Sequence, residues 1–343
     1  MDVLEQQAEI DFGRYPYIGE EDWEYAYETA HVRALETVML PRSVFVDMAN
    51  AADFEQAADH LRSSEYAAGA GTSISELERV LLASRSEVRK QFAGWMHSDS
   101  MVTLFKSRDD FANLRLAVRR AVTKKPIGAD YSGDGNFPPE QFTEVFESEK
   151  YEMLSGYMAE AAERAILLYY NDKDIRAIDY AIDAAQTEFN LATASELGSE
   201  FLLGLVRIQA DLANIRTMLR LTITKAQQQN VFLTGGYVGR DQLIRGLDTS
   251  GDGLAALFFA TPYFEIVQAG AAYAAAEKSF LKLEQQCDEY LNGYLGTAMA
   301  ITAGVQPLIA YLLAKENEIR MVRLVLTAKK NHLNPKLILD RIS

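Results

Sequence analysis

Asp110-Phe-Ala-Asn-Leu-Arg115 and Asp211-Leu-Ala-Asn-Ile-Arg216 are nearly one hexapeptide written twice, 101 residues apart. Glu318-Ile-Arg-Met-Val-Arg323 is a looser third copy, 107 residues further on. A period of this length specifies duplicated domains and not a short-repeat solenoid, whose units run to a few tens of residues. Each copy opens on an acid, sets apolar residues second and fifth, and closes on Arg. Phe111, Leu114 and Val118 fall at i, i+3 and i+7, as do Leu212, Ile215 and Leu219, and Ile319, Val322 and Leu326. That spacing draws one buried stripe along a helix.

The likeness continues past the hexapeptide. Thr123-Lys124 and Thr224-Lys225 stand at the same offset from their acids, with Lys329-Lys330 slightly out of step in the third copy. A turn and a short apolar helix are expected after each: Pro138-Pro139 before Phe142 and Phe146, Gly239 before Leu243 and Leu247, and Asn334-Pro335 before Ile338 and Ile342. Glu28-Thr-Ala-His-Val-Arg33 is a fainter fourth copy. The repeats divide the chain into helical domains at 1–125, 126–227 and 228–343. Arg33, Arg115, Arg216 and Arg323 are the charged positions the repeat places. They are candidates for partner contact or for ion pairs that fix one domain against the next.

The chain is all-α by its pattern. Helices are expected over 53–62, 74–97, 108–124, 151–168, 172–190, 197–226, 265–292 and 306–331, and no run of alternating β-branched residues competes with them. With 343 residues, 48% of them hydrophobic, it can bury two or three cores of about a hundred residues each. A net charge of −15 argues against a nucleic-acid or anionic-membrane binder, which needs excess Lys and Arg. Cys287 is alone and cannot form an internal disulfide, which suits a reducing compartment. The start, Met1 to Glu9, is acidic and has no apolar core, so it does not read as a signal peptide. Thr297–Ala314 and Gly253–Ala276 are apolar but interrupted by Pro, Gln or Glu, and are expected as buried helices and not membrane spans.

Searching for chemistry yields little. His31, His60, His97 and His332 lie far from any other His or Cys at metal spacing. There is no phosphate-binding glycine loop with its lysine and no nucleophile elbow, so no cofactor and no metal are expected. Asp130-Tyr-Ser-Gly-Asp134-Gly135 and Asp248-Thr-Ser-Gly-Asp252-Gly253 resemble the first half of a calcium loop. Gln141 and Phe259 stand where the bidentate Glu belongs, so both read as turns. Asp109-Asp110 could bind magnesium in an all-α diphosphate enzyme, but only with a second acidic cluster opposite, and Asp172-Lys-Asp174 lacks the matching helical motif. The aromatic start (Phe12, Tyr15, Tyr17, Trp23, Tyr25, Tyr27) is interleaved with acids. It is expected to dock on the protein body and not to stack on bases.

Further segments carry a family resemblance: Tyr311-Leu-Leu-Ala-Lys-Glu316, Glu318-Ile-Arg320, Arg323-Leu-Val-Leu326 and Lys329-Lys-Asn-His-Leu-Asn-Pro335 near one end, and Ala30-His-Val-Arg-Ala-Leu-Glu36, Met39-Leu-Pro41, Asp53-Phe-Glu-Gln-Ala-Ala58 and Glu65-Tyr66 near the other. In these the chain resembles the C subunit of the archaeal and bacterial A/V-type ATPases, the counterpart of the d subunit of the vacuolar enzyme. Met39 lacks the Lys that the family often shows before it, and the Asp130 and Asp248 turns look individual to this chain. The resemblance implies three similar helical domains in a pseudo-threefold funnel. It implies a non-catalytic rotor adaptor between the D and F subunits of the central stalk and the proteolipid ring, passing torque between ATP hydrolysis or synthesis and H+ or Na+ transport. It also implies a cytoplasmic place, peripheral to the membrane and joined to it only through the ring. The alternative is a helical interaction scaffold outside any ATPase. If the short C-terminal helix seats a third of a ring contact, removing residues 333–343 should weaken that contact and leave most of the helix content intact.

Overall fold

In the computed structural model, the described residues are 10–11, 14–69, 73–126, 128, 130–224, 231–249 and 252–342. Phe12, Lys225 and the centre of the second Asp-rich turn, Ser250-Gly251, lie outside them. Along the chain the α-helices are α1 (Ala26–Glu36), α2 (Arg42–Asn50), α3 (Phe54–Asp59), α4 (Ile74–Trp95), α5 (Asp99–Thr123), α6 (Pro139–Ser148), α7 (Gly156–Asp172), α8 (Arg176–Glu196), α9 (Glu200–Thr224), α10 (Arg240–Asp248), α11 (Asp252–Ala256), α12 (Phe264–Glu277), α13 (Leu281–Gly296), α14 (Val305–Lys330) and α15 (Pro335–Leu339). No strand occurs among the described residues, so the fold class is all-α as the pattern requires. No helix among them is long and apolar enough to cross a membrane.

By packing, the chain divides into two compact units, Met1–Ile10 with His97–Ser250, and Asp11–Met96 with Gly251–Ser343. The first holds two of the repeated helices, α5 and α9. Ser98 caps α5 by accepting from the Met101 N–H (3.4 Å), and Lys124 ends it in the left-handed conformation at φ 54°. This unit's core joins Phe111, Leu114 and Val118 of α5 to Phe142 and Val145 of α6, Met158 and Ala162 of α7, and Ile178 and Ile182 of α8. The helical spacing of the apolar residues has thus become the contact face.

The second unit is centred on α14, the third repeated helix. Ile319, Val322, Val325 and Leu326 pack against Phe45 and Met48 of α2, Phe54 of α3, and Leu77 and Leu81 of α4. Pro335 opens α15 at its first position, with the Asn334 side chain accepting from the Lys336 N–H (2.9 Å).

Several expectations change here, since the apolar stretches 253–276 and 297–314 are each interrupted, between α11 and α12 and just before α14. The single helix over 265–292 is broken into α12 and α13 at Lys278, which turns left-handed at φ 54°. The C-terminal segment is not an exposed end. Ile338 and Ile342 lie in the α14 core at 2% and 1% exposure. Asp340 accepts from the Tyr273 hydroxyl (2.8 Å), and Arg341 pairs with the mostly buried Asp288 (2.7 Å). Ile338 and Ile342, one helical turn apart, turn the same face into the core while Leu333 and Leu337 stay exposed, so deleting the segment removes core.

Candidate functional site

The repeated acids do one job in three places. Asp110 is fully buried. Its Oδ1 accepts from the backbone N–H of Asn136 (2.8 Å) and Phe137 (3.1 Å), and its Oδ2 from the Asn136 side-chain amide (2.7 Å). Asp211, also fully buried, accepts from the N–H of Tyr237 (3.0 Å) and Val238 (2.9 Å). The asparagines of the hexapeptide clamp the same loops further back. Asn113 donates to the Ser132 carbonyl (2.9 Å) and accepts from its N–H (2.8 Å), and Asn214 does the same with Leu233 (2.9 and 2.7 Å). Acid and amide together satisfy the polar backbone of a turn folded against an apolar helix, where unpaired groups would be costly.

In the third copy the held turn comes from the other end of the chain. Glu318 Oε2 accepts from the backbone N–H of Leu40 (2.5 Å). Phe137, Val238 and Leu40 each stand two residues before a short helix: α6, α10 and α2 respectively. The fourth residue of each helix is buried: Phe142 at 0%, Leu243 at 1% and Phe45 at 6% exposure. Segment 38–50, and not Asn334-Pro335 with α15, is therefore the third turn and helix. Met321 replaces the clamping asparagine and enters the core.

Glycine marks the close approach. A Cβ built on Gly135 would lie 2.2 Å from Asp110 Oδ1, and one on Gly236 would lie 2.1 Å from Asp211 Oδ1. The residue at that place in the third turn is Val38, 72% exposed, and there the acid is the longer Glu318. One more methylene lets the turn stand further out, and a side chain fits.

Charge around the acids differs between copies. Burial pushes the Asp110 carboxyl above the usual carboxylate range, the hydrogen bonds from Phe137 and Asn136 oppose that, and neighbouring Asp109 adds to it. Asp109 Oδ1 accepts from the Ser132 hydroxyl (2.8 Å), so both acids of the pair considered for magnesium hold this loop. Glu318 Oε1 accepts from the Tyr66 hydroxyl (2.6 Å) and pairs with the buried Lys315 (2.5 Å), which also meets Glu65. Among the described residues no group of three or more His, Cys, Asp or Glu side chains is placed to hold a metal ion.

The four arginines separate. Arg115 on α5 reaches Asp179 (3.4 Å) and Asp183 on α8, where Arg119 also meets Asp179. Arg323 on α14 reaches Glu78 on α4 through Nε (2.8 and 3.0 Å). Asp179 stands as far before Asp211 as Glu78 does before Asp110, 32 residues, so these are one interaction in two copies. Arg216 is half-buried at the matching place on α9. Arg33 belongs elsewhere: it pairs with Glu36 (2.9 Å) and donates to the carbonyls of Ala298 and Ile301 (3.0 Å each). Val38, Glu78 and Asp179 were not singled out from sequence, although a constant offset from the acids marks Glu78 and Asp179.

These features define a class: an all-helical protein built from a repeated module in which a buried acid on a long helix holds the turn before a short one. The chain belongs to the ATP synthase (C/AC39) subunit family, which it matches over residues 29–341. It is 22% identical over 323 residues to the C subunit of the V-type sodium ATPase of Enterococcus hirae, covering 91% of this chain and 95% of that one. It is 23% identical over 336 residues to the C subunit of the A-type ATP synthase of Haloferax volcanii, with the same coverage. A shorter match, 24% over 181 residues, joins half of this chain to 47% of the C subunit of the A-type ATP synthase of Methanobrevibacter smithii.

Proposed function

We propose that this chain is the non-catalytic C subunit of a rotary A/V-type ATPase, acting as the rotor adaptor between the D and F subunits of the central stalk and the membrane proteolipid ring. Family membership over almost the whole chain carries the reading. The acid-held modules support it physically. A part that transmits torque needs stiffness and repeated contact surfaces more than a reactive centre, and buried carboxylates that lock three turns stiffen the chain where such surfaces would sit. In this reading the modules centred on α5, α9 and α14 are three copies of one helical domain. Arg115, Arg216 and Arg323 fix one repeat against the next, and the protein lies on the cytoplasmic side, joined to the membrane only through the ring.

A tagged full-length chain pulled from detergent-solubilised native membranes tests this. Mass spectrometry should recover the catalytic subunits, the D and F stalk and the ring proteolipid in one complex. Recovery of soluble partners alone, at good yield, would replace the adaptor with a helical scaffold outside any ATPase.

A further inference from the structure

The aromatic start does not all dock on the body. Tyr25 is buried, and Tyr15 wedges against Gly293, its ring 5.1 Å from that of Tyr290 and 5.9 Å from that of Tyr294. Tyr17, Trp23 and Tyr27 face solvent instead, at 61%, 65% and 77% exposure. Trp23 and Tyr27 stand one helical turn apart where a short 3-10 turn, Trp23–Tyr25, runs into α1.

The segment that displays these rings is stitched down on both sides of them. The Gln306 side-chain amide donates to the carbonyls of Ile18 (3.1 Å) and Glu20 (3.0 Å). The Asp22 N–H donates to the Ala303 carbonyl (2.9 Å), and the Glu21 carboxylate accepts from the Thr302 N–H (3.0 Å). Thr29 exchanges hydrogen bonds with the backbone of Gly304 (3.2 Å each). Rings held out on a rigid base lose little conformational entropy when covered, and Trp and Tyr are the residues that dominate interface energies. Their surroundings have one sign: between Tyr15 and Ala30 there are five acids, Glu20, Glu21, Asp22, Glu24 and Glu28, and no Lys or Arg.

We infer that Tyr17, Trp23 and Tyr27, with the exposed Glu20 and Glu24, form a docking ledge for a basic helix of another protein, one carrying Arg or Lys residues a helical turn apart. Cations of that spacing would lie over the indole and phenol faces while pairing with the carboxylates, a combination that neither nucleic acid nor an anionic membrane surface can make. The ledge is independent of the rotor reading, whose test is the presence of the ring and stalk in the purified complex.

The test uses the full chain in its native membranes with a benzophenone-bearing photo-crosslinking amino acid in place of Tyr27. The crosslinked peptide is then sequenced by mass spectrometry. The expected product is one protein segment bearing at least two Arg or Lys at helical spacing. Glu24→Lys, alone and with Glu20→Lys, should lower its yield about tenfold or more, as expected when close interfacial charge pairs are reversed. The thermal melt of purified Glu24→Lys should not change, because that side chain faces solvent, whereas Glu20 also accepts from the Tyr17 hydroxyl, so the single Glu24 variant is the control for stability. Crosslinks to lipid, to a second copy of this chain, or to an acidic segment would overturn the inference, as would no crosslink or a yield unmoved by charge reversal.

Discussion

Gly135 and Asp110 stand so close that a Cβ on the glycine would lie 2.2 Å from the carboxylate oxygen that holds the turn. Gly236 and Asp211 repeat the relationship at 2.1 Å. Gly135→Ala and Gly236→Ala should each push the carboxylate off its two backbone N–H groups and destabilise by about 1–3 kcal/mol, the range for overpacking and for unpaired buried donors. Val38→Ala, at the same place in the third turn but largely exposed, should change stability by less than about 0.5 kcal/mol. Urea denaturation of the three variants compares them directly; an equal loss for all three would break the equivalence.

The Asp110 carboxyl has its pKa raised in the folded protein, chiefly by burial. A raised folded value means that the native state holds the proton more tightly than the unfolded chain. Its contribution to stability is fully present below the unfolded carboxylate range and is lost as pH rises through the folded value. Asp110→Asn removes that titration and keeps an acceptor oxygen for the turn. The stability difference, wild type minus variant, should therefore fall as pH is raised through the acidic range and level off near neutrality. Denaturation curves at several pH values measure it, and a difference that rises with pH would contradict the burial argument.

Much of this was legible in the chain because the repeat spans about a hundred residues and preserves chemistry as well as pattern. Acid, amide and arginine recur at Asp110, Asn113 and Arg115 and again at Asp211, Asn214 and Arg216, and the long helices α5, α9 and α14 follow from their apolar stripes. Nearness in sequence points to Asn334-Pro335 for the third turn, but the helix packs against a turn distant in sequence and near in space. The turn that Glu318 holds lies at Leu40, 278 residues away. Periodicity also could not break the helix at Lys278, since a single left-handed residue leaves the apolar pattern on either side intact. Nor could composition separate Tyr25, which faces the core, from Tyr27, which faces solvent.

Arg323 with Glu78 and Arg115 with Asp179 are one interaction in two copies, so their energies should agree. Both pairs are partly exposed, with side-chain accessibilities of 34% and 36% in one and 31% and 24% in the other. Double-mutant cycles with alanine at each position should give couplings of about 0.5–1 kcal/mol, the upper part of the range for solvent-screened pairs. The Arg115 cycle should retain a residual loss after Asp179→Ala, because Asp183 also engages Arg115. A zero coupling in both cycles would reduce these arginines to surface charges.

The C-terminal segment should behave as core. Ile338→Ala should cost about 2–4 kcal/mol, the usual loss for a fully buried aliphatic side chain. Removing residues 333–343 takes away Ile338 and Ile342 together and leaves the mostly buried Asp288 with Arg320 but without Arg341. Helix content by circular dichroism should fall, and the melting transition should broaden or shift well downward. A truncated chain that melts like the full one would return the segment to the surface.

Glu318 and Val38 supply the sharpest test of the module, because length at one position is matched by bulk at the other. Glu318→Asp retracts the carboxylate by one methylene, out of reach of the Leu40 N–H, and weakens its bonds to Tyr66 and Lys315. The loss should be about 2–4 kcal/mol, since a buried charged partner is left poorly compensated. Val38→Gly alone should be mildly destabilising through the entropy of the unfolded chain, by about 0.5–1 kcal/mol. Combined with Glu318→Asp, however, the glycine rebuilds the pairing seen at Asp110 with Gly135 and at Asp211 with Gly236. The turn can then move in toward the shorter acid. The double variant should be more stable than the two single losses add up to, by at least about 1 kcal/mol. Strict additivity would mean that the glycines of the first two turns serve their own loops and not the reach of the acid.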